Sequence, residues 1–386
     1  MRSITVFILA LFVGQATAQV KGVPVGPSGT WTVGYADTLL FNEGLHYTGS
    51  GYTGPAPLFV QVWFPTAATA AAPLTHGQIR QRQLDGPLRA VYQELVRRMD
   101  SSFVEYDLRY PLGGDVPIDY TPFTERQVLD TLLTWPTRCH RAPLPERTDA
   151  PVILYHHGSQ GSGDENEEMA EYFASRGYTF VSANFHWPLE RAMYGTPLEW
   201  RPDRGSIQRM IDFARGLTTS DSVFYVGHSW GAQEGWCTLH VPGLAQAFVS
   251  LETTIEWKTD TVEIEDKWPH VFEAVRTHRY ALPILLVANT EGAPPYPFFV
   301  NAGDDIRYLD PRDPFSHESY TSAAFLRLAM PDGASLPDRA ELEAQHATYR
   351  QLLRAMALFF DEVRAGPGKE WRSFTNTFHV HPRADR

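Results

Sequence analysis

The sequence predicts an α/β fold with a mainly parallel sheet and helices on both faces. Two observations carry this. From Pro151 onward, short runs of β-formers alternate with amphipathic helical stretches, the rhythm of βαβ units. Apolar residues make up 43% of 386 residues, enough to bury the core of one large domain. Right-handed crossovers would then place helices on both sides of the sheet.

The chain opens as a secretory signal does. Arg2 supplies the charge, Ile4 to Val13 is mostly apolar, and Ala16-Thr17-Ala18 offers a small-residue cleavage site before Gln19. This predicts export of a single domain, residues 19–386, to a secreted or periplasmic location. Thr30 to Val33 and Leu58 to Phe64 read as strands of a hairpin with a long connection. Ala67 to Pro73 reads as a linker. Apolar residues at Leu84, Leu88, Val91, Tyr92, Leu95 and Val96 give Gln81 to Met99 helical spacing. Residues 110–150 are proline-rich and predicted irregular, apart from a short helix over Glu125 to Thr134.

The regular series follows. Strands are predicted at Val152–Tyr155, Tyr178–Val181, Ser222–Val226, Ala247–Leu251, Ile284–Val287 and Ile306–Leu309. Helices are predicted at Asp164–Arg176, stopped by Gly177, and at Ser206–Leu217, Trp230–Leu239 and Leu342–Val363. Residues 253–280, rich in Thr, Glu, Asp and Trp, fall between two strands. An insertion at the carboxyl edge of an open sheet covers the place where ligands bind, so this segment is expected to be a lid or a substrate wall. No repeat of about 20–50 residues is visible.

The formal net charge is −12 and no Lys/Arg run occurs, which argues against nucleic acid or an anionic membrane as the main partner. After Ala18 no apolar stretch of about 18 residues remains, so stable membrane insertion is not expected. The two cysteines, Cys139 and Cys237, allow either one disulfide or two buried thiols. No N-glycosylation sequon occurs.

Gly227-His228-Ser229-Trp230-Gly231 is a G-x-S-x-G sequence at the junction of an apolar strand and an apolar helix. That context is a nucleophile elbow: a strained turn lifts the serine hydroxyl out of the sheet, and the helix start points N–H groups at a developing oxyanion. His156-His157-Gly158-Ser159-Gln160-Gly161 follows the first strand of the series, where glycines let backbone N–H groups approach a substrate oxygen. The paired histidines, and His379 with His381, lack a third ligand at informative spacing, so no metal is expected.

A base must follow the serine. The candidates are His240, His270, His278, His317, His346, His379 and His381. His317 lies in Asp313-Pro-Phe-Ser-His-Glu-Ser-Tyr320, a loop after the last candidate strand, where a base can swing over the sheet edge. The acid is open among Glu252, Glu291, Asp304 and Asp305, all of which keep the order Ser, acid, His.

At this point the chain resembles the platelet-activating factor acetylhydrolase-like branch of the α/β-hydrolases, with dienelactone-hydrolase-like proteins as near relatives. The likeness rests on Leu58–Pro65, Val152–Gly161, Gly227–Gly231 and Ser316–Ser322, and covers most of residues 30–330. It implies an α/β-hydrolase fold with an N-terminal strand elaboration. It selects Glu252 as the acid, where the branch usually has Asp, and the N–H groups of Ser159 and Trp230 as oxyanion donors. The implied activity is hydrolysis of small carboxylic esters through an acyl-enzyme, without a cofactor, with short or truncated acyl chains preferred. The rival readings are a peptidase or acyltransferase on the same residues, and a binding protein on a decayed hydrolase fold.

Overall fold

A computed structural model describes residues 29–67, 69–110, 117–159, 161–185, 202–258, 260–290, 302–311, 315–329 and 339–366, with residues 299 and 371. The expected signal segment, Gln160, Glu291, His379 and His381 lie outside these residues.

The chain begins with a long antiparallel hairpin, β1 (Thr32–Gly49) and β2 (Tyr52–Thr66). Ser50 and Gly51 form its two-residue turn, with φ of 49° and 76°. Paired left-handed residues of this kind match the twist of a hairpin. The expected long connection is therefore absent. Residues 34–49 carry Gly, Asp, Asn and Glu that dilute the local β signal, but cross-strand pairing along β2 extends the strand, with a bulge between Asn42 and His46.

A helical segment follows. α1 (His76–Ile79) is capped by Thr75. α2 (Gly86–Ser102) starts five residues later than the apolar spacing suggested, because Pro87 belongs in a first helical turn. It runs into a π-helix, Phe103–Arg109. α3 (Glu125–Leu132) is held by a Thr124–Gln127 capping box. β3 (Cys139–Arg141) pairs with β1; three residues are too few to show periodicity, so this strand was not expected from sequence.

The regular series then runs β4 (Val152–His156), α4 (Glu167–Ser175), β5 (Thr179–Ser182), α5 (Arg204–Leu217), β6 (Val223–His228), α6 (Trp230–Thr238) and β7 (Ala247–Leu251). It continues with α7 (Thr261–Lys267), α8 (Pro269–Thr277), β8 (Ile284–Val287), β9 (Ile306–Leu309) and α9 (Arg339–Ala365). The strands form one mixed sheet in the order β3-β1-β2-β5-β4-β6-β7-β8-β9, parallel from β5 to β9. From β4 the chain steps outward to β5, then returns to add β6 on the other side. That reversal makes a crevice beyond the carboxyl ends of β4 and β6.

Alternation along the strands sends successive side chains to opposite faces. On one face Ile153, Tyr155 and Phe224 pack with Phe173 of α4 and Phe360 of α9, and the Phe224 and Phe360 rings stack at 4.4 Å. On the other, Val152, Leu154 and Tyr225 pack with Ile211 of α5, Trp236 of α6 and Val275 of α8. Cys139 belongs to the first face and Cys237 to the second, and both are buried free thiols. The sheet lies between them, so the disulfide option is corrected to two unpaired cysteines.

Residues 253–280 supply α7 and α8, the crossover between the parallel strands β7 and β8. Ile255, Ile264, Val271 and Val275 are buried in the second core face. Among the described residues, no helix is long and apolar enough to cross a membrane.

Candidate active site

The turn after β6 is built by what its glycines exclude. A Cβ on Gly227 would stand 2.5 Å from the Gly231 carbonyl, and one on Gly231 would overlap the His156 carbonyl of the adjacent strand end. Only hydrogen fits at either place. Between them Ser229 takes φ 53° and ψ −118°, a sparsely populated state for a residue with a side chain. Its N–H donates to the Leu251 carbonyl at 2.9 Å, which ties the turn to the end of β7.

Glu252 follows Leu251 and also has a positive φ, 46°. Its N–H donates to the Val287 carbonyl at 2.8 Å. The structure brings the serine, the acid and the loop histidine together. The His317 Nδ1–H donates to Glu252 Oε1 at 2.7 Å, and the Ser229 hydroxyl lies 3.0 Å from His317 Nε2, in position to donate to it. Burial works against a charged His317, yet the hydrogen bond and charge of Glu252, with Glu318 and Glu256 adding to them, raise the imidazole from 6.5 to about 9.

The other acid candidates separate from this point. Asp304 and Asp305 precede β9 and so lie at the amino edge of the parallel strands, opposite the edge that carries Ser229; they pair with Arg279 and Arg307. His240 and His278 stack on each other with centroids 3.8 Å apart, and His346 bonds Glu168 at 2.7 Å.

Three further groups hold the histidine loop, and the sequence reading missed them. The His228 Nε2–H donates to the His317 carbonyl at 3.1 Å. The Asn289 side-chain amide donates to the Phe315 carbonyl at 2.7 Å, while its backbone N–H reaches Glu252 Oε2 at 3.3 Å. Glu165 lies 3.7 Å from His228 Nδ1 and accepts from the Tyr155 hydroxyl at 2.5 Å and the Ser162 N–H at 3.2 Å. Burial opposes its charge, but the neighbouring His228 imidazole and the hydrogen bond from Tyr155 hold its carboxyl below the usual range. Nothing in the spacing of these residues marks them in sequence: His228 and Asn289 act through backbone contacts on a loop far along the chain, and Glu165 acts on the His228 ring.

The turn after β4 brings Gly158 and Ser159 to the same pocket as Ser229 and His317. A Cβ at Gly158 would stand 3.3 Å from the Ser229 Cβ, so its absence lets the two turns meet. Trp230 is the first residue of α6, where helix N–H groups have no intrahelical acceptor. The paired histidines are buried in the protein frame. The His156 ring packs 3.7 Å from that of Phe185, while His157 Nδ1 donates to the Gly158 carbonyl at 2.6 Å and its Nε2 accepts from the Phe185 N–H at 3.1 Å.

The pocket has a volume of about 320 Å³. Met99, Phe103, Tyr106 and Asp107 form the wall supplied by α2 and the π-helix, and Thr254 and Trp268 form the wall supplied by the β7–β8 crossover. A neighbouring cavity of about 230 Å³ shares Arg80, Phe103 and Ala323 with it but holds neither Ser229 nor His317.

This fold is that of the α/β-hydrolases. A family model described as alpha/beta hydrolase fold matches residues 151–290, the span from β4 past the elbow to the end of β8. Among solved structures, a ferulic acid esterase from Streptomyces cinnamoneus aligns with a TM-score of 0.54 at 15% identity, over 90% of this chain and 94% of that one. Esterase 2 from Thermogutta terrifontis aligns with a TM-score of 0.41 at 15% identity, over 59% and 88%. An acylaminoacyl peptidase from Pyrococcus horikoshii aligns with a TM-score of 0.37 at 15% identity, over 56% of this chain and 38% of that one. No curated protein sequence matches the chain. At such identities the likeness concerns the fold.

Proposed function

We propose that this chain is an exported serine hydrolase that cleaves small carboxylic esters through an acyl-enzyme. The observation that carries the reading is the continuous line of hydrogen bonds from Ser229 through His317 to Glu252, at 3.0 and 2.7 Å, opening into a pocket. Ser229 Oγ attacks the ester carbonyl as its proton passes to His317 Nε2. Glu252 holds the ring in the tautomer with the proton on Nδ1 and stabilises the cation that forms. The N–H groups of Ser159 and Trp230 receive the oxyanion, each contributing about 3 kcal/mol to the transition state. His317 then gives its proton to the departing alcohol. Water attacks the acyl-enzyme, His317 accepts its proton, and that proton returns to Ser229 as the acid leaves.

Short acyl chains are the proposed preference, in keeping with the resemblance to the platelet-activating factor acetylhydrolase-like branch. The signal-like start of the chain supports export, with Gln19 as the first mature residue. Fluorophosphonate labelling with a p-nitrophenyl ester chain-length series tests the activity. Labelling at Ser229 and turnover of the short esters are expected. A protein that neither labels nor turns over any ester of the series refutes the reading.

A further inference from the structure

We propose that Asp107 is a specificity residue that selects esters bearing an O–H or N–H donor on the part of the substrate lying against the π-helix. This rests on the ester-hydrolase reading above.

The π-helix Phe103–Arg109 forms part of the pocket wall facing Ser229 and His317. Stretches of π-helix are rare and are frequently found at functional sites. This one is anchored from behind. Phe103 and Leu108 are buried against Val128, Leu129 and Leu132 of α3; Arg109 bonds Glu105 at 2.6 Å and Glu125 at 3.1 Å, and the Tyr120 hydroxyl donates to the Leu108 carbonyl at 2.8 Å. With that side fixed, Tyr106 and Asp107 line the pocket.

Asp107 differs from Glu165 and Asp164, two other carboxylates by this pocket. Glu165 is engaged by Tyr155 and Ser162, and Asp164 by Arg80. Arg80, a cation in the same pocket wall, is committed to Asp164 at 2.5 Å and Asp100 at 3.0 Å. Among the described residues, the Asp107 carboxyl makes no hydrogen bond and no ion pair; only longer-range charges act on it. Burial, with the charges of Glu318 and Glu165, pushes it well above the usual carboxylate range, while Arg327 and Arg80 oppose the shift. The carboxyl is half-buried in the pocket wall, in the company of Met99, Phe103 and Trp268, and is open to a bound substrate. A substrate donor would satisfy it on binding. A cation on the substrate would favour the charged form of Asp107, whereas an anion would add to the opposing charges of Glu318 and Glu165, so the selected group is neutral or cationic.

The test is a panel of size-matched esters that carry methyl, hydroxyl, primary ammonium, trimethylammonium or carboxylate at one position, placed first on the acyl half and then on the alcohol half. On one half, wild-type kcat/KM should favour hydroxyl or ammonium over methyl by about tenfold or more, with carboxylate poorest. A trimethylammonium ester that matches the primary ammonium would show that charge rather than a donor is selected, and would overturn the proposal. Asp107→Leu should erase the preference. Asp107→Asn keeps an acceptor without charge, so it should retain the hydroxyl preference and lose the ammonium one; it decides the matter if the Leu variant does not fold by circular dichroism. Wild-type turnover with no donor preference on either half, or a preference that survives in a folded Asp107→Leu, overturns this inference alone. Absence of turnover of every ester would overturn the ester-hydrolase reading and the inference with it.

Discussion

Ser229 can hold its unusual backbone state because Gly227 and Gly231 carry no Cβ to collide with the tight turn around it. The hydroxyl is thereby fixed 3.0 Å from His317. Ser229→Ala should lower kcat for ester hydrolysis by a factor on the order of 10⁶ and end fluorophosphonate labelling; a mutant that still labels would refute the assignment. Glu252→Gln keeps the shape but loses the charge that orients the ring, and should cost about 10³–10⁴ in kcat with KM little changed. Equal kcat in the two proteins would remove Glu252 from the mechanism. The pH dependence has a definite sign. The base must be neutral to accept a proton, and Glu252 holds His317 charged up to about 9. The kcat/KM of wild type should therefore climb with pH through neutrality towards 9, and Glu252→Gln should move the midpoint down towards 6.5. A wild-type midpoint below 6.5 would contradict the geometry.

The β6–turn–α6 unit shows how an element serves the site. α6 is buried along its length, and Trp236 at its centre packs against Phe248, Tyr280 and Phe299 while its indole N–H donates to Ser250 at 3.0 Å. Removing that ring leaves a large cavity under the elbow. Trp236→Ala should destabilise the fold by about 3–5 kcal/mol, read from urea unfolding; an unchanged midpoint would mean that α6 does not depend on this contact. The boundaries of β7, β8 and β9 were legible from their short apolar runs. The elements that sequence reading blurred are those specified by distant partners. β1 is long because β2 pairs with it, and α4 starts at Glu167 because Asp164, Glu165 and Asn166 are drawn into bonds with Arg80, Tyr155 and Tyr320. Local propensity cannot report such ties.

Across the whole molecule, the sheet separates two cores and so separates the two thiols. Alkylation under denaturing conditions without reductant should modify both Cys139 and Cys237; protection of either until reduction would show a bridge. The His317–Glu252 pair also couples stability to pH. Because the folded His317 titrates at about 9 against 6.5 unfolded, its contribution is complete below 6.5 and is lost as pH rises through 9. Unfolding midpoints of wild type and Glu252→Gln should therefore converge as the solution becomes alkaline. A gap that stays constant with pH would mean that the pair contributes nothing through charge.

The sequence by itself determined the α/β alternation, the glycine-flanked serine turn, and the short roster of bases and acids that could accompany it, because these depend on local periodicity, local sterics and chain order. Only the tertiary structure decided which members of that roster meet. Glu252 and His317 are 65 positions apart and touch because β7 and the loop before residue 320 end at the same sheet edge, whereas Asp304 and Asp305 lie at the other. The same holds for His228 on the His317 carbonyl, Asn289 between acid and loop, and Asp107 on its π-helix. Their positions come from contacts between elements remote in the chain, and pairings of that kind leave no periodic trace in the residues that make them.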